Sequence, residues 1–227
     1  SGGSGATAYS QALGVYMAFA VDRSADYWSS LSTWHSGAKM EALRNTFGRQ
    51  ALPMSWDYAE GNPFSGSSGN WSNNFEWCAK ALDGLPLRVP LGGVARAEDA
   101  TSQSTSQDKV VSTDPPYYDN IGYADLSDFF YVWLRRSLRS FFPALFSSIA
   151  VPKAEELVAA IHRHGSREKA EAFFLDGMTQ AMRLMAKCSH PSAPITIYYA
   201  FKQSETSVEG GTSSTGWETF LESAHRA

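Results

Sequence analysis

The chain has 227 residues, of which 43% are hydrophobic and 19% charged, and its formal net charge is −4. These values are typical of one globular domain large enough to bury a core, and they disfavour a strong nonspecific DNA binder, which usually has a basic face. The sequence contains no apolar run long enough to span a membrane and no signal peptide, so a cytoplasmic protein is expected.

The first segment is predicted to be a flexible tail followed by a long helix. Residues 1–5 are rich in Gly and Ser, which is typical of flexible segments. From Ala8 onward, apolar residues recur every three or four positions, which predicts a helix that extends to about Thr33. Its charged residues have two interpretations, a solvated face with local ion pairs, which we favour, or ligand contacts. These residues are Asp22, Arg23 and Asp26.

The next segment is predicted to be irregular and then helical. His35-Ser36-Gly37 reads as a break, and residues 45–64 are aromatic and punctuated by Gly and Pro. Several side chains there are the wrong types for a plain core and are compatible with a packed surface loop: Asn45, Arg49, Gln50, Trp56 and Asp57. Ser72 is predicted to cap a helix that Gly84 ends.

Two strands are predicted in the middle of the chain, with a loop between them. Residues 87–97 indicate a weak strand because Pro90 and two glycines interrupt it. Residues 101–108 are polar, which is typical of a flexible loop. Residues 109–113 predict a central strand.

A largely apolar helix is predicted after this strand, with Asp125 or Ser127 as its cap. Its apolar residues cover much of the circumference, so we expect it to be buried against the sheet. Its basic cluster of Arg135, Arg136 and Arg139 has two interpretations, a solvated face, which we favour, or contacts to phosphates.

The last third of the chain predicts two helices, a strand and a final helix. Gly165 is expected to end the first helix and Ser166 to cap the second, whose methionines indicate a core-facing stripe. Residues 195–201 predict a strand rich in β-branched and aromatic residues. Thr215 or Gly216 is expected to open the final helix. Cys78 and Cys188 match no zinc or redox spacing, so free thiols and no metal site are expected.

The stretch Asp114-Pro115-Pro116-Tyr117 directly follows the predicted central strand. The carboxylate of Asp114 accepts hydrogen bonds, and the two prolines stiffen the backbone and offer carbonyl acceptors without N–H donors. Tyr117 adds a flat ring for stacking. These groups suit a planar ligand with an exocyclic amine, and strand, loop and helix is the layout of a ligand site in an open α/β sheet. The tetrapeptide is equally compatible with a turn or with a proline-rich ligand.

Asp114-Pro115-Pro116-Tyr117 resembles the target-amine motif of methyltransferases that act on adenine N6 or cytosine N4. Residues 111–127 (VSTDPPYYDNIGYADLS) resemble, more narrowly, bacterial adenine-specific DNA methylases with an amino-terminal DUF1156 region and a zinc ribbon, some of them linked to anti-phage systems. Residues 45–54 (NTFGRQALPM) and 196–205 (TIYYAFKQSE) are similar in style to the same family. The resemblance covers most of the chain.

The resemblance implies a partial Rossmann-like, S-adenosylmethionine-dependent methyltransferase sheet flanked by helices, in one partial catalytic domain over residues 1–227. It implies that Asp114, Pro115, Pro116 and Tyr117 hold a flipped adenine of DNA. The substrate set that it implies is Tyr118, Asp119, Asn120, Tyr123 and Lys202. It also implies that residues 45–64 line the pocket, that residues 195–201 lie beside the motif strand, and that Asp99 and Asp114 contact the cofactor. Asp99 is equally compatible with an ordinary loop acid or a helix cap.

The family's glycine-rich turn, which reads like Asp-Pro-Phe-x-Gly-Gly-Gly, does not occur in the chain, and neither do its zinc-ribbon cysteines. We therefore expect a carboxyl-side fragment of a longer enzyme, which would associate with the rest of that enzyme, or a natural partial copy. One alternative is a non-catalytic module that binds a nucleobase or a peptide. Another is methylation of RNA or of a protein glutamine, although related motifs there usually begin with Asn.

Overall fold

The computed structural model describes residues 5–37, 40–85, 93–200 and 215–227. These residues form a mixed α/β structure of six helices and two small sheets, each of two strands. In chain order the elements are α1 (Ala6–Trp28), β1 (Thr33–Gly37), β2 (Met40–Arg44), α2 (Trp71–Asp83), β3 (Ser112–Thr113), α3 (Tyr123–Leu138), α4 (Ile161–His164), α5 (Arg167–Cys188), β4 (Thr196–Ile197) and α6 (Thr215–Arg226). The mixed α/β class is confirmed, whereas the larger Rossmann-like sheet stays a prediction.

The chain divides into two compact units. Unit 1 comprises residues 1–92 and 123–152, and unit 2 comprises residues 93–122 and 153–227. Unit 1 therefore holds α1, α2, α3 and the β1–β2 hairpin, and unit 2 holds β3, β4 and the remaining helices.

The β1–β2 hairpin of unit 1 corrects two expectations from the sequence. The first helix ends at Trp28 rather than near Thr33, because Ser29 is extended and Ser32 donates its hydroxyl to the carbonyl of Tyr27. The predicted break at residues 35–37 is part of a strand, which pairs antiparallel with β2 from Thr33↔Arg44 to Gly37↔Met40. Backbone pairing with β2 satisfies polar groups that a break would leave to water.

The three helices of unit 1 form its body, because α2 and α3 both pack on α1. Asn70, rather than Ser72, caps α2, since its side chain accepts from the backbone N–H of Asn73. The predicted burial of α3 is wrong for part of its surface: Leu138 packs beside Ala18 of α1, whereas Val132 and Trp133 are exposed. Asp125 lies in the first turn of α3, where its negative charge interacts favourably with the positive end of the helix dipole.

Unit 2 is organised around α5, a helix whose start and buried face were predicted from the sequence. Ser166 caps the helix by accepting from the backbone N–H of Lys169. The preceding Gly165, at φ +82°, ends α4 in the left-handed conformation that favours glycine. The methionine stripe is confirmed as core, since Met178 and Met182 are buried with Phe174 and with Phe220 of α6.

The strands β3 and β4 pair in parallel, with Ser112 opposite Thr196 and Thr113 opposite Ile197. This confirms that the segment around Ile197 lies beside the motif strand. Both strands are shorter than expected, although an isolated bridge between Lys109 and Ser189 extends the parallel pairing toward their amino ends. Residues 93–97 form no strand, and the remainder of the expected weak strand, 87–92, lies outside the described residues.

Of the two segments that the sequence predicted to be flexible, residues 1–5 are described only in part and residues 101–108 are described in full. Gly5 precedes α1, and residues 1–4 lie outside the described residues. Residues 101–108 form turns held by local hydrogen bonds, such as those from the side-chain amide of Gln103 to the hydroxyl of Ser106 and from the backbone N–H of Ser106 to Gln103 Oε1.

Candidate functional site

The Asp114–Tyr117 loop begins where β3 ends, at the carboxyl end of the parallel strand pair. The backbone N–H of Tyr198 donates to the carbonyl of Thr113 at 2.8 Å, so the pairing continues up to the residue before Asp114. Pro115 and Pro116 have no N–H to extend this ladder, so the chain leaves the sheet at this point. The sequence therefore placed the loop correctly at the end of a strand.

The first two residues of the loop present acceptors. Asp114 is exposed, and its carboxylate has no hydrogen-bond or ion-pair partner within the described part of the chain. Pro115 is half-buried, and its carbonyl likewise accepts no hydrogen bond from a described residue. The carbonyls of Pro116 and Tyr117 are already engaged, because they accept from the backbone N–H groups of Tyr118 and Asn120. Two neighbouring acceptors therefore remain for a ligand with an N–H₂ group.

Tyr117 belongs to an aromatic cluster that links the loop to β4 and α6. Its ring lies edge-on to that of Tyr199, with centroids 5.5 Å apart. Tyr199 stacks on Phe220 with ring centroids 3.8 Å apart and planes at 11°, and Trp217 stacks on the same phenylalanine. Because these rings come from three separate elements, the position of Tyr117 is fixed by tertiary packing as well as by the prolines.

Tyr118 was expected to contact the substrate, and it is instead part of the core of unit 2. Its ring is 8% exposed and lies edge-on to Phe174, and its hydroxyl donates to Glu171 at 3.0 Å. Burial, together with the hydrogen bond to Glu171, raises the pKa of Tyr118 well above its ordinary value of 10.0. The residue adopts φ +48°, which turns its side chain inward next to Gly216.

The remaining expected substrate residues are Asp119, Asn120, Tyr123 and Lys202. Asp119 and Asn120 are exposed on the turn after Tyr118. Tyr123 opens α3 and so belongs to unit 1, whereas the motif loop belongs to unit 2. Lys202 lies outside the described residues.

Asp99, the expected cofactor contact, is exposed and is engaged locally. Its Oδ1 atom accepts from both the backbone N–H and the hydroxyl of Thr101, each at 2.8 Å. This geometry is that of a loop acid that stabilises its own turn, which was the alternative open in the sequence.

The expected pocket-lining residues of segment 45–64 divide into two groups. Asn45 and Arg49 line a cleft of 290 Å³ in unit 1. Gln50, Trp56 and Asp57 are exposed and do not line this cleft, and Trp56 has 88% of its surface in water.

A larger cleft in unit 2 was not found from the sequence. It has a volume of 690 Å³ and lies at the amino ends of β3 and β4, the opposite end from the Asp114–Tyr117 loop. His190 Nε2 lies 4.0 Å from Asp108 Oδ1 at its edge, and Asp108 adopts φ +55°. No sequence signal marked it, because its lining comes from the end of α5 and from the loops before two separate strands.

Within the described residues, no helix combines the length and apolar character that crossing a bilayer requires. The same residues contain no group of three or more His, Cys, Asp or Glu side chains arranged to hold a metal ion. Comparison with protein-family models, curated proteins and solved structures found no match.

Proposed function

We propose that the chain is part of an S-adenosylmethionine-dependent methyltransferase that methylates the N6 amine of adenine in DNA. The observation that carries this proposal is the position of Asp114-Pro115-Pro116-Tyr117 at the carboxyl end of a parallel strand pair. Ligands of open α/β sheets bind in the crevice at these strand ends. The proposal extends to the fold, in which β3 and β4 belong to a Rossmann-like sheet.

In this proposal the chain's own residues bind and orient the adenine. Asp114 and the carbonyl of Pro115 accept hydrogen bonds from the two amine hydrogens. These bonds favour a pyramidal amine nitrogen, whose lone pair can attack the methyl group. Tyr117 stacks on the base after it has left the DNA helix. A strong general base is unnecessary, because the amine can lose its proton after attack. Rate acceleration then comes from positioning and from exclusion of water.

The described residues fit the target base better than they fit the cofactor. S-adenosylmethionine supplies the methyl group in such enzymes, and its methionine end needs a glycine-rich turn that the 227 residues do not contain. Of the two expected contacts, Asp99 already uses Oδ1 for Thr101, and Asp114 is the acceptor proposed for the base. We therefore assign no cofactor contact to the described residues, and the proposal places those contacts elsewhere in a longer enzyme.

The missing glycine-rich turn favours one second candidate, a module that binds a nucleobase or a peptide without chemistry. Calorimetry with S-adenosylmethionine separates the two. Binding to the full-length gene product but not to these 227 residues supports a divided enzyme. The absence of binding to both supports the binding module.

The test of the proposed function is methyl transfer by the full-length gene product with the substitution Asp114→Ala. We expect incorporation of labelled methyl groups into DNA to fall by at least about a hundredfold, because the variant loses an acceptor that orients the amine. We expect thermal unfolding to be unchanged because Asp114 is exposed. Asp176→Ala, an exposed carboxylate on α5, is the matched control and should retain full activity.

Two outcomes would count against the proposal. Full activity of Asp114→Ala removes the motif from the mechanism. Labelling of RNA or of a protein glutamine, with none in DNA, assigns the motif to another substrate class.

A further inference from the structure

The 290 Å³ cleft in unit 1 is built on a short segment that α1 holds firmly. The carboxylate of Asp26 accepts from the amide of Asn45 and from the backbone N–H of Phe47, both at 2.9 Å. The carbonyl of Asp26 accepts from the backbone N–H and the hydroxyl of Thr46, which is buried. Three consecutive residues, 45–47, are therefore fixed by one residue of the helix.

The opposite side of this segment packs on α3. The ring of Phe47 contacts those of Phe129 and Phe130, with centroids 5.1 and 5.0 Å away. Hydrogen bonds on one side and ring packing on the other hold the segment between two helices. Arg44 and Arg49 lie on either side of this segment, so the backbone that carries their side chains is fixed in position.

Arg44 and Arg49 both line the cleft and are exposed. Neither guanidinium forms an ion pair or a hydrogen bond with any residue in the described ranges. Asp26, the acid that holds residues between the two arginines, has both carboxylate oxygens occupied by N–H donors. Two positive charges thus face the cleft without a protein counter-charge among these residues.

The remaining lining is mainly neutral. Leu31, Ala51 and Pro53 supply apolar surface, and Thr33 and Thr46 supply hydroxyl groups. Gly48 lets Arg44 pack close to the backbone, since a Cβ there would lie 2.9 Å from Arg44 Nε. A volume of 290 Å³ is at the lower end of the range for small-molecule sites.

We propose that this cleft binds the phosphate group of a ligand about the size of one nucleotide. Guanidinium groups match phosphate oxygens in paired, charge-assisted hydrogen bonds, and the fixed backbone limits the freedom lost on binding to that of the two side chains. The apolar lining accommodates the part of the ligand attached to the phosphate. The proposal does not depend on methyl transfer, because none of its residues belongs to the Asp114–Tyr117 loop.

The experiment is calorimetric titration of the full-length protein with thymidine monophosphate, with thymidine as the probe that lacks phosphate, because neither carries the exocyclic amine that the Asp114–Tyr117 loop is proposed to hold. We expect the nucleotide to bind and the nucleoside to bind at least about tenfold more weakly. The double substitution Arg44→Gln with Arg49→Gln should weaken nucleotide binding by at least about tenfold. Ala51→Trp should do the same, because it fills the cleft while leaving both charges in place.

The matched control is the double substitution Lys80→Gln with Arg96→Gln, which removes the same charge from exposed residues that do not line the cleft. It should bind the nucleotide as the unsubstituted protein does. Equal weakening in this control would reduce the effect to net charge and overturn the proposal. Unchanged binding in either cleft variant, or no nucleotide binding up to about 10 mM in the unsubstituted protein, would also overturn it.

A second titration, with a short single-stranded oligodeoxynucleotide, identifies the source of the phosphate. Parallel loss of nucleotide and oligonucleotide binding in the cleft variants supports a backbone phosphate of DNA. Loss of nucleotide binding alone supports a free nucleotide. Because thymidine monophosphate lacks the amine that the Asp114–Tyr117 loop is proposed to hold, its titration does not report on methyl transfer, so failure of the proposed methyl transfer and failure of this site are distinguishable.

Discussion

Tyr117 lies edge-on to Tyr199, with the two ring planes at 81°. Tyr117 closes the loop after β3, and Tyr199 lies two residues beyond the end of β4. The contact therefore connects the carboxyl ends of two neighbouring parallel strands. Since Tyr199 also stacks on Phe220 of α6, the orientation of the Tyr117 ring depends on packing between a strand end and a helix.

Replacing Tyr199 with leucine should destabilise unit 2 and impair the proposed base stacking. The substitution removes ring contacts to Tyr117, Phe220 and Trp217, and we expect it to lower the free energy of unfolding by about 1–3 kcal/mol. Tyr199→Phe keeps the ring contacts and should retain more stability and activity than Tyr199→Leu. Chemical denaturation and the methyl-transfer assay measure the two effects.

The neighbouring Tyr198 provides the control for this prediction. It is 62% exposed and contributes its backbone N–H to the strand pairing, so Tyr198→Leu should change stability by less than about 0.5 kcal/mol. Equal effects at positions 198 and 199 would show that the aromatic cluster does not hold the loop.

The buried hydroxyl of Tyr118 should make stability depend on alkaline pH. Its pKa is raised in the folded protein, by burial first and then by Glu171, while the unfolded chain titrates near 10.0. The folded state therefore keeps a proton that the unfolded state releases above that pH. Stability from this residue is fully present below pH 10 and falls as the pH rises above it.

The substitution Tyr118→Phe tests this dependence, because it removes the titrating hydroxyl and keeps the ring against Phe174. At pH 8 we expect a loss of about 1–2 kcal/mol from the hydrogen bond to Glu171. Between pH 9.5 and about 11, the melting temperature of the variant should fall less steeply than that of the unsubstituted protein. Parallel pH profiles would show that the hydroxyl is accessible to water.

Local sequence signals predicted the parts of the fold that depend on local physics. Ser166 and Gly165 identified adjacent helix ends, because capping and the left-handed conformation need only neighbouring backbone groups. The position of Asp114 after a strand was also readable from the sequence, since the two prolines that follow it cannot donate hydrogen bonds to a strand ladder.

Most of the parts that the sequence did not predict depend on contacts distant in the chain, whereas the Asn70 cap of α2 is local. The strand at residues 33–37 requires β2 as a partner. The adjacent Tyr117 and Tyr118 look equivalent in the sequence, yet φ +48° at Tyr118 turns its ring toward Phe174 of α5. Arg44 and Arg49 line one cleft, and Asp26 of α1 fixes residues between them.

Asp22 on α1 should make unit 1 less stable as the pH rises toward neutrality. Burial raises its pKa to about 7, and its Oδ1 atom is buried with no hydrogen-bond partner in the described part of the chain. Between pH 3.8 and about 7 the folded state holds a proton that the unfolded state has lost, so stability declines across this range and levels off above it.

Asp22→Asn removes this charge and should therefore be stabilising, relative to the unsubstituted protein, more at pH 8 than at pH 4.5. Urea denaturation at the two pH values measures the difference. Asp26→Asn is the contrasting variant, because the carboxylate of Asp26 is satisfied by Asn45 and Phe47 and its loss should destabilise. A stability gap for Asp22→Asn that does not change with pH would mean that this carboxylate is hydrated.

The ion pair between Glu156 and Arg163 should contribute far more to stability than the one between Glu76 and Lys80. The side chains of the first pair are 12% and 13% exposed, whereas those of the second are 60% and 67% exposed. Glu156→Ala removes the carboxylate that pairs with the mostly buried guanidinium of Arg163. We expect a loss of about 3 kcal/mol in the free energy of unfolding. Glu76→Ala breaks a solvated pair on α2 and should cost less than about 0.5 kcal/mol.

Adding about 0.5 M NaCl should reduce the smaller effect and leave the larger one nearly intact, because salt screens exposed charges far more than buried ones. Similar losses in the two variants would mean that water reaches Arg163 once its partner is removed.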